Sequence, residues 1–161
     1  MACGVVTNMG RVFNTWKEVE EVLDAFNAFM RPLARPEPGL EDYGDVAIFS
    51  IASGKVVVTM NWSMGGGGYV LEKLNVEFNE GYCTSGYCRF NHRVGRAYDA
   101  WWRGVMARGL ARLASRVVGS SDGSIVKYVI GGVVITLEWV GDTLWSVSLE
   151  ATCPSPGNAG G

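Results

Sequence analysis

Between Trp16 and Leu33 the apolar residues recur every three or four positions: Trp16, Val19, Val22, Leu23, Phe26, Phe29, Met30 and Leu33. That period collects them on one stripe of a helix. Thr15 followed by Glu18 forms a capping box, in which each side chain satisfies the other's free backbone N–H. Glu18, Glu20, Glu21 and Asp24 fall off the stripe in the first turns, where the helix dipole favours anions. Pro32 ends the helix near Met30 or Arg31. A loop with Pro32, Pro36, Pro38, Gly39 and Gly44 follows, and the period then falls to two. Strands are predicted over 45–52, 55–63 and 69–79, with Ser53-Gly54 as a hairpin turn. Alternation puts Val56, Val58, Met60 and Trp62 on one face. Along the third strand it puts Val70, Leu74, Val76 and Phe78 opposite Lys73, Asn75 and Glu77. Residues 4–13 predict a short leading strand broken at Gly10.

The second half repeats the rhythm. An irregular stretch over 80–91 precedes a basic helix predicted from about Arg93 to Val118, which the run Gly119–Gly123 stops. Three strands close the chain, at 124–130, 133–140 and 143–151. Gly131-Gly132 and Gly141-Asp142 are their turns, and both dipeptides tolerate the positive φ that tight hairpins demand.

Set side by side, the halves match: V-A-I-F-S-I, a two-residue turn and a strand ending at Trp62, against I-V-K-Y-V-I, a two-residue turn and a strand ending at Trp139. The expected architecture is α+β: a two-layer sandwich of antiparallel sheet with two helices on one face, built as an α-β-β-β pseudo-duplication. Residues 1–152 are expected to form a single domain of two similar halves, about 1–80 and 86–152. Residues 153–161 are expected to be a disordered tail. Alternating helix and three-strand units occur in unrelated folds, so topology by itself carries no function.

Charge sharpens the picture. Residues 1–50 balance 4 − 8 = −4, whereas 89–118 balance 7 − 1 = +6, on a chain of net charge −2. The plainest expectation is that the two segments face each other. The acidic whole argues against a general nucleic-acid binder. No stretch approaches the ~20 apolar residues that span a bilayer, and no basic-then-apolar leader is apparent, so no membrane association and a cytoplasmic location are expected. Glutamine is absent, and arginine outnumbers lysine ten to four. Loss of thermolabile amides is one thermophile mark, and in such a source cytosolic cysteines can pair.

Candidate chemistry is sparse. Gly65, Gly66, Gly67 and Gly68 invite a phosphate-cradle reading, but a strand pattern follows them and no G-K-[ST] is present. A hairpin loop is favoured, with a flap over a site as the lesser reading. Cys83, Cys88 and His92 are spaced C-x4-C-x3-H, unlike compact zinc motifs. A Cys83–Cys88 disulfide across a tight loop is the better alternative to zinc, with reduced, idle thiols as the default. No metal, cofactor or catalytic residue is assigned. The sharpest feature is a row at steps of four, Arg108, Arg112 and Arg116, which one helix face could present to phosphates. Trp101 and Trp102 point about 100° apart, so one can pack inward while the other lies near the row. The competing reading pairs these arginines with the acidic first helix.

The leading functional expectation is a non-enzymatic binding or assembly module of unknown ligand, self-associating as a homodimer through an uncovered sheet face or the Trp/Arg helix. An RNA or single-stranded nucleic-acid accessory protein using the Arg-rich second helix is the less favoured alternative. A small-ligand or enzymatic domain with a glycine-rich flap is the third.

Overall fold

In a computed structural model of the 161-residue chain, the described residues are 3–30, 39–42, 46–52, 56–65 and 68–152. Among these residues, eleven strands and two α-helices follow one another: β1 (Cys3–Phe13), α1 (Trp16–Met30), β2 (Gly39–Asp42), β3 (Val46–Ala52), β4 (Val56–Gly65), β5 (Gly68–Phe78), β6 (Cys83–Thr84), β7 (Tyr87–Ala97), α2 (Ala100–Leu113), β8 (Arg116–Gly119), β9 (Ile125–Ile130), β10 (Val133–Val140) and β11 (Thr143–Thr152). A 3-10 turn at Glu80–Tyr82 links the halves.

The protein is α+β. Its two meanders do not merge into one sheet; they form two antiparallel sheets, ordered β1-β5-β4-β3-β2 and β6-β7-β11-β10-β9-β8. Each helix is preceded by a strand that pairs with the last strand of the same half: β1 with β5, and β7 with β11. A strand ahead of each helix therefore joins the sheet formed by the strands that follow that helix. The order β1-β5-β4-β3-β2 recurs as β7-β11-β10-β9-β8.

The irregularities recur too. Register slips between Asn61 and Trp62 against β5, and between Glu138 and Trp139 against β11. Gly10 and Gly95 both adopt positive φ, 58° and 62°, beside the slips in β1 and β7. Trp62 packs edge-on against Phe13 at the end of β1, as Trp139 does against Tyr98 just past β7.

One apolar core joins both halves. Val56, Val58, Met60 and Trp62 are buried along one face of β4, as the alternation requires. On β5 the expected face shifts. Opposite the Asn61/Trp62 step, β5 carries an extra residue, so Leu71 rather than Val70 joins Leu74, Val76 and Phe78 inside. A bulge of this kind flips the side-chain alternation beyond it. Helix α1 is buried on more than one stripe, including Ala25 and Ala28, because it also packs on α2. The β9–β10 turn abuts β1: a Cβ on Gly131 would meet Thr7, and one on Gly132 would lie 3.0 Å from Val5 Cγ1. Both tight turns take a positive φ at their first glycine only, Gly131 at 59° and Gly141 at 58°, as type II′ hairpins require.

The second helix is shorter than its sequence suggests. Residues 87–97 are strand β7, and α2 starts only where the Asp99 carboxylate accepts from Trp102 N–H at 2.9 Å. It stops at Leu113 without a glycine or proline. Ser115 N–H instead donates to Val129 O at 2.8 Å and starts the pairing of β8 with β9. Long-range pairing overrides a local preference that was only mildly helical. The 53–54 turn, Gly66, Gly67 and the tail 153–161 lie outside the described residues.

Candidate functional site

The arginine row does not form on one helix. Arg116 lies in β8 and is exposed, while Arg108 and Arg112 remain on α2. Both of the latter turn to the first helix. Arg108 Nε donates to Glu21 Oε2 at 2.6 Å, and Arg112 Nη2 to Glu21 Oε1 at 2.8 Å. Arg112 Nη1 also reaches Glu18 Oε2 at 3.3 Å. Arg11 Nη1 donates to the Arg112 carbonyl at 2.7 Å and ties β1 to the same place. Burial works to raise the Glu21 carboxyl, but hydrogen bonds and charge from Arg108 and Arg112 outweigh it and hold it below 4.5. Two of the seven arginines in 89–118 thus pair with the acidic first helix, and ions hold the α1–α2 seam at its rim. The seam is close because α2 presents Gly109 there, where a Cβ would collide with the Glu21 carbonyl and stand 2.8 Å from Ala25 Cβ.

Trp101 is 59% exposed, whereas Trp102 packs against the core, and their rings meet edge-on at 5.0 Å. Nearby, Arg96 lies over Tyr98 at 5.4 Å and Arg103 over Trp139 at 4.5 Å, with Arg103 Nη1 donating to Gly141 O at 2.9 Å. Since Tyr98 and Trp139 are core residues, these two guanidiniums cap the end of the core. Gly65 pairs with Gly68 across β4 and β5, and Gly66 and Gly67 lie outside the described residues. Cys83 and Cys88 form a disulfide that staples β6 to β7, with Cα atoms 4.0 Å apart. Cys3 is disulfide-bonded as well. The C-x4-C-x3-H thiols are therefore not open ligands. Among the described residues no group of three metal-ligating side chains converges.

What the sequence reading missed is the outer face of the second sheet. Register sets Arg89, Asn91 and Arg93 of β7 beside Glu150, Ser148 and Ser146 of β11. Beyond them stand Val134, Thr136 and Glu138 of β10, then Lys127 of β9. In β11, Trp145 is the extra residue opposite the Glu138/Trp139 step. The bulge turns its ring outward, 38% exposed, and the Arg93 guanidinium sits over it at 4.6 Å. No carboxylate pairs with Arg93 among the described residues. Ser148 is only 7% exposed although it faces outward, and neither its Oγ nor the Oγ1 of Thr136, directly across the ladder, has a hydrogen-bond partner. Glu138 is engaged by Ser146 at 3.2 Å, and Glu150 accepts from the Tyr87 hydroxyl. That hydrogen bond, with burial and the Glu150 charge, pushes the Tyr87 phenol above its usual range. A signal for this site existed: two residues, Trp145 and Ser146, separate the inward Leu144 and Val147, which breaks the period of two.

The two sheets differ at this place. The matching position of β5, Glu72, carries a carboxylate that accepts from Ser63 Oγ at 2.8 Å, and Asn8 stands where β7 has Arg93. The Arg–Trp pair is therefore no requirement of the fold.

Fold and site together define an α+β protein of two similar antiparallel sheets, one of which carries an outer face where an arginine lies over a tryptophan and, among the described residues, has no carboxylate partner. Comparison with known family models, curated proteins and solved structures finds no match to the chain. Among the described residues no helix is long and apolar enough to cross a membrane.

Proposed function

We propose that this protein is a non-enzymatic binding module whose recognition surface is the outer face of the second sheet, and that its partner is anionic. The observation that carries the reading is the Arg93–Trp145 pair beside the unpartnered hydroxyls of Ser148 and Thr136. Buried polar atoms ordinarily find partners, and a ligand with hydrogen-bonding groups would supply them. The charge of the face agrees. Arg89, Arg93, Arg116 and Lys127 against Glu138 and Glu150 balance 4 − 2 = +2, on a chain of −2. Arg108, Arg112 and the glycine hairpin are scaffold in this reading. Amide and indole shifts on titration with tripolyphosphate test it. Shifts confined to Arg93, Trp145, Ser146 and Ser148 are expected. Shifts elsewhere, or none, would remove the face from consideration.

A second reading, self-association, is favoured by β8, which is an edge strand of the second sheet among the described residues. Val117 and Val118 on β8 are 48% and 46% exposed, with Ile125 on the neighbouring strand 40% exposed. An exposed apolar edge strand is a template for another chain, so a second copy pairing edge to edge would give a homodimer. The recurrence of strand order, bulges and Trp positions supports an origin of the two halves by internal duplication.

A further inference from the structure

We infer that the anionic partner of this face is a short single-stranded nucleic acid, its bases stacking at Trp145 and its phosphates held by Arg93 and Arg89. This rests on the reading of the second sheet's outer face as the binding surface, and it names the class of ligand. The choice follows from three features. The ring and the guanidinium over it form a flat, partly exposed π surface, which any base can stack on without regard to sequence. Such stacking needs bases that are splayed out, which a duplex does not offer. Arg89 and Arg93 share one face of an extended strand four residues apart, about 13 Å along the strand. That suits a few nucleotides of backbone and falls far short of a helical turn of duplex. The Ser148 and Thr136 hydroxyls, both without partners, lie between the arginines' strand and Lys127. Hydroxyls can donate to or accept from a base edge.

The charge balance bounds the ligand. The face is positive while the chain as a whole is negative, so attraction is local and a long polyanion gains little from the rest of the surface. The first sheet serves as an internal control, because it presents Glu72 and Asn8 in the matching places.

The test is fluorescence anisotropy with labelled oligothymidine and oligouridine of about ten nucleotides, a duplex of equal length, and tripolyphosphate followed by amide shifts. Single strands are expected to bind with an affinity that falls as salt rises. Trp145→Ala should weaken binding about tenfold, and Arg93→Gln should weaken it and lessen the salt dependence. Lys73→Gln, on the outer face of the other sheet, should leave binding unchanged. Unaltered melting temperatures establish that the variants are folded. Equal affinity in Trp145→Ala, or duplex bound as tightly as single strand, overturns the inference. Tripolyphosphate shifts on the sheet without single-strand binding overturn it while leaving the broader reading standing. Loss of both signals removes both.

Discussion

The hydroxyl of Tyr98 donates to the carbonyl of Ala28 at 2.7 Å, inside the core. Ala28 lies in the last turn of α1, where no intrahelical N–H is left to serve the final carbonyls. A residue at the entrance of the second helix thus caps the exit of the first. Tyr98→Phe should cost about 1–2 kcal/mol, because it leaves a buried acceptor unserved. In a chain of this size that corresponds to a melting temperature about 4 °C lower. No loss would mean that another donor serves Ala28.

Two glycines of α2 should respond with opposite sign. Gly109→Ala drives a Cβ into the Glu21 carbonyl and to 2.8 Å from Ala25 Cβ. Since the obstacle is backbone of the facing helix, the helices must separate, at a cost of about 2 kcal/mol or more that outweighs the gain in helix propensity. At Gly104 the nearest atom is Arg108 Nη1 at 2.9 Å, the end of a flexible chain. Gly104→Ala should therefore gain about 0.5–1 kcal/mol. Thermal melts of the two variants decide the matter, and equal effects would contradict the close crossing.

The Glu21 cluster sets an acid response. Its carboxyl is held below 4.5 in the fold, so the stability it contributes is complete above 4.5 and is lost as pH falls through the folded value. Asp122 adds to the same window. The Ser124 N–H and the hydroxyls of Ser124 and Ser120 bring it to about 2. Glu21→Gln should cost about 1–2 kcal/mol at neutral pH, a figure kept low because Arg108 is half exposed. It should also flatten part of the fall in melting temperature below pH 4.5. An unchanged acid profile would mean that Glu21 is not engaged.

The β8 edge makes a separate prediction. Sedimentation of the wild type should show a dimer, and Val117→Lys, a charge on an exposed edge, should yield monomer without lowering the melting temperature. A monomeric wild type at high concentration would dismiss edge pairing.

Local pattern was enough for much of this protein. The three-and-four spacing from Trp16 to Met30 specifies α1, and the period of two specifies β4, β9 and β10, because those side chains sort themselves by which face meets water. Half of the capping box is present, with Glu18 N–H donating to Thr15 Oγ1 at 3.3 Å, while the Glu18 carboxylate accepts from the Thr15 hydroxyl at 3.3 Å. The opposed charges of the two helices were legible as a sum, and they meet at Glu21 and Arg112. Tertiary structure decided the rest. Residues 87–97 and 116–119 became strands because β11 and β9 offer them ladders, a pairing partner that no local window contains. The slips in register, and with them the outward turn of Trp145 beneath Arg93, exist only once three strands are aligned. Spacing along the chain placed Arg108, Arg112 and Arg116 in one row, but only packing could show that two of them are paired with Glu21 and Glu18 and the third belongs to a sheet edge.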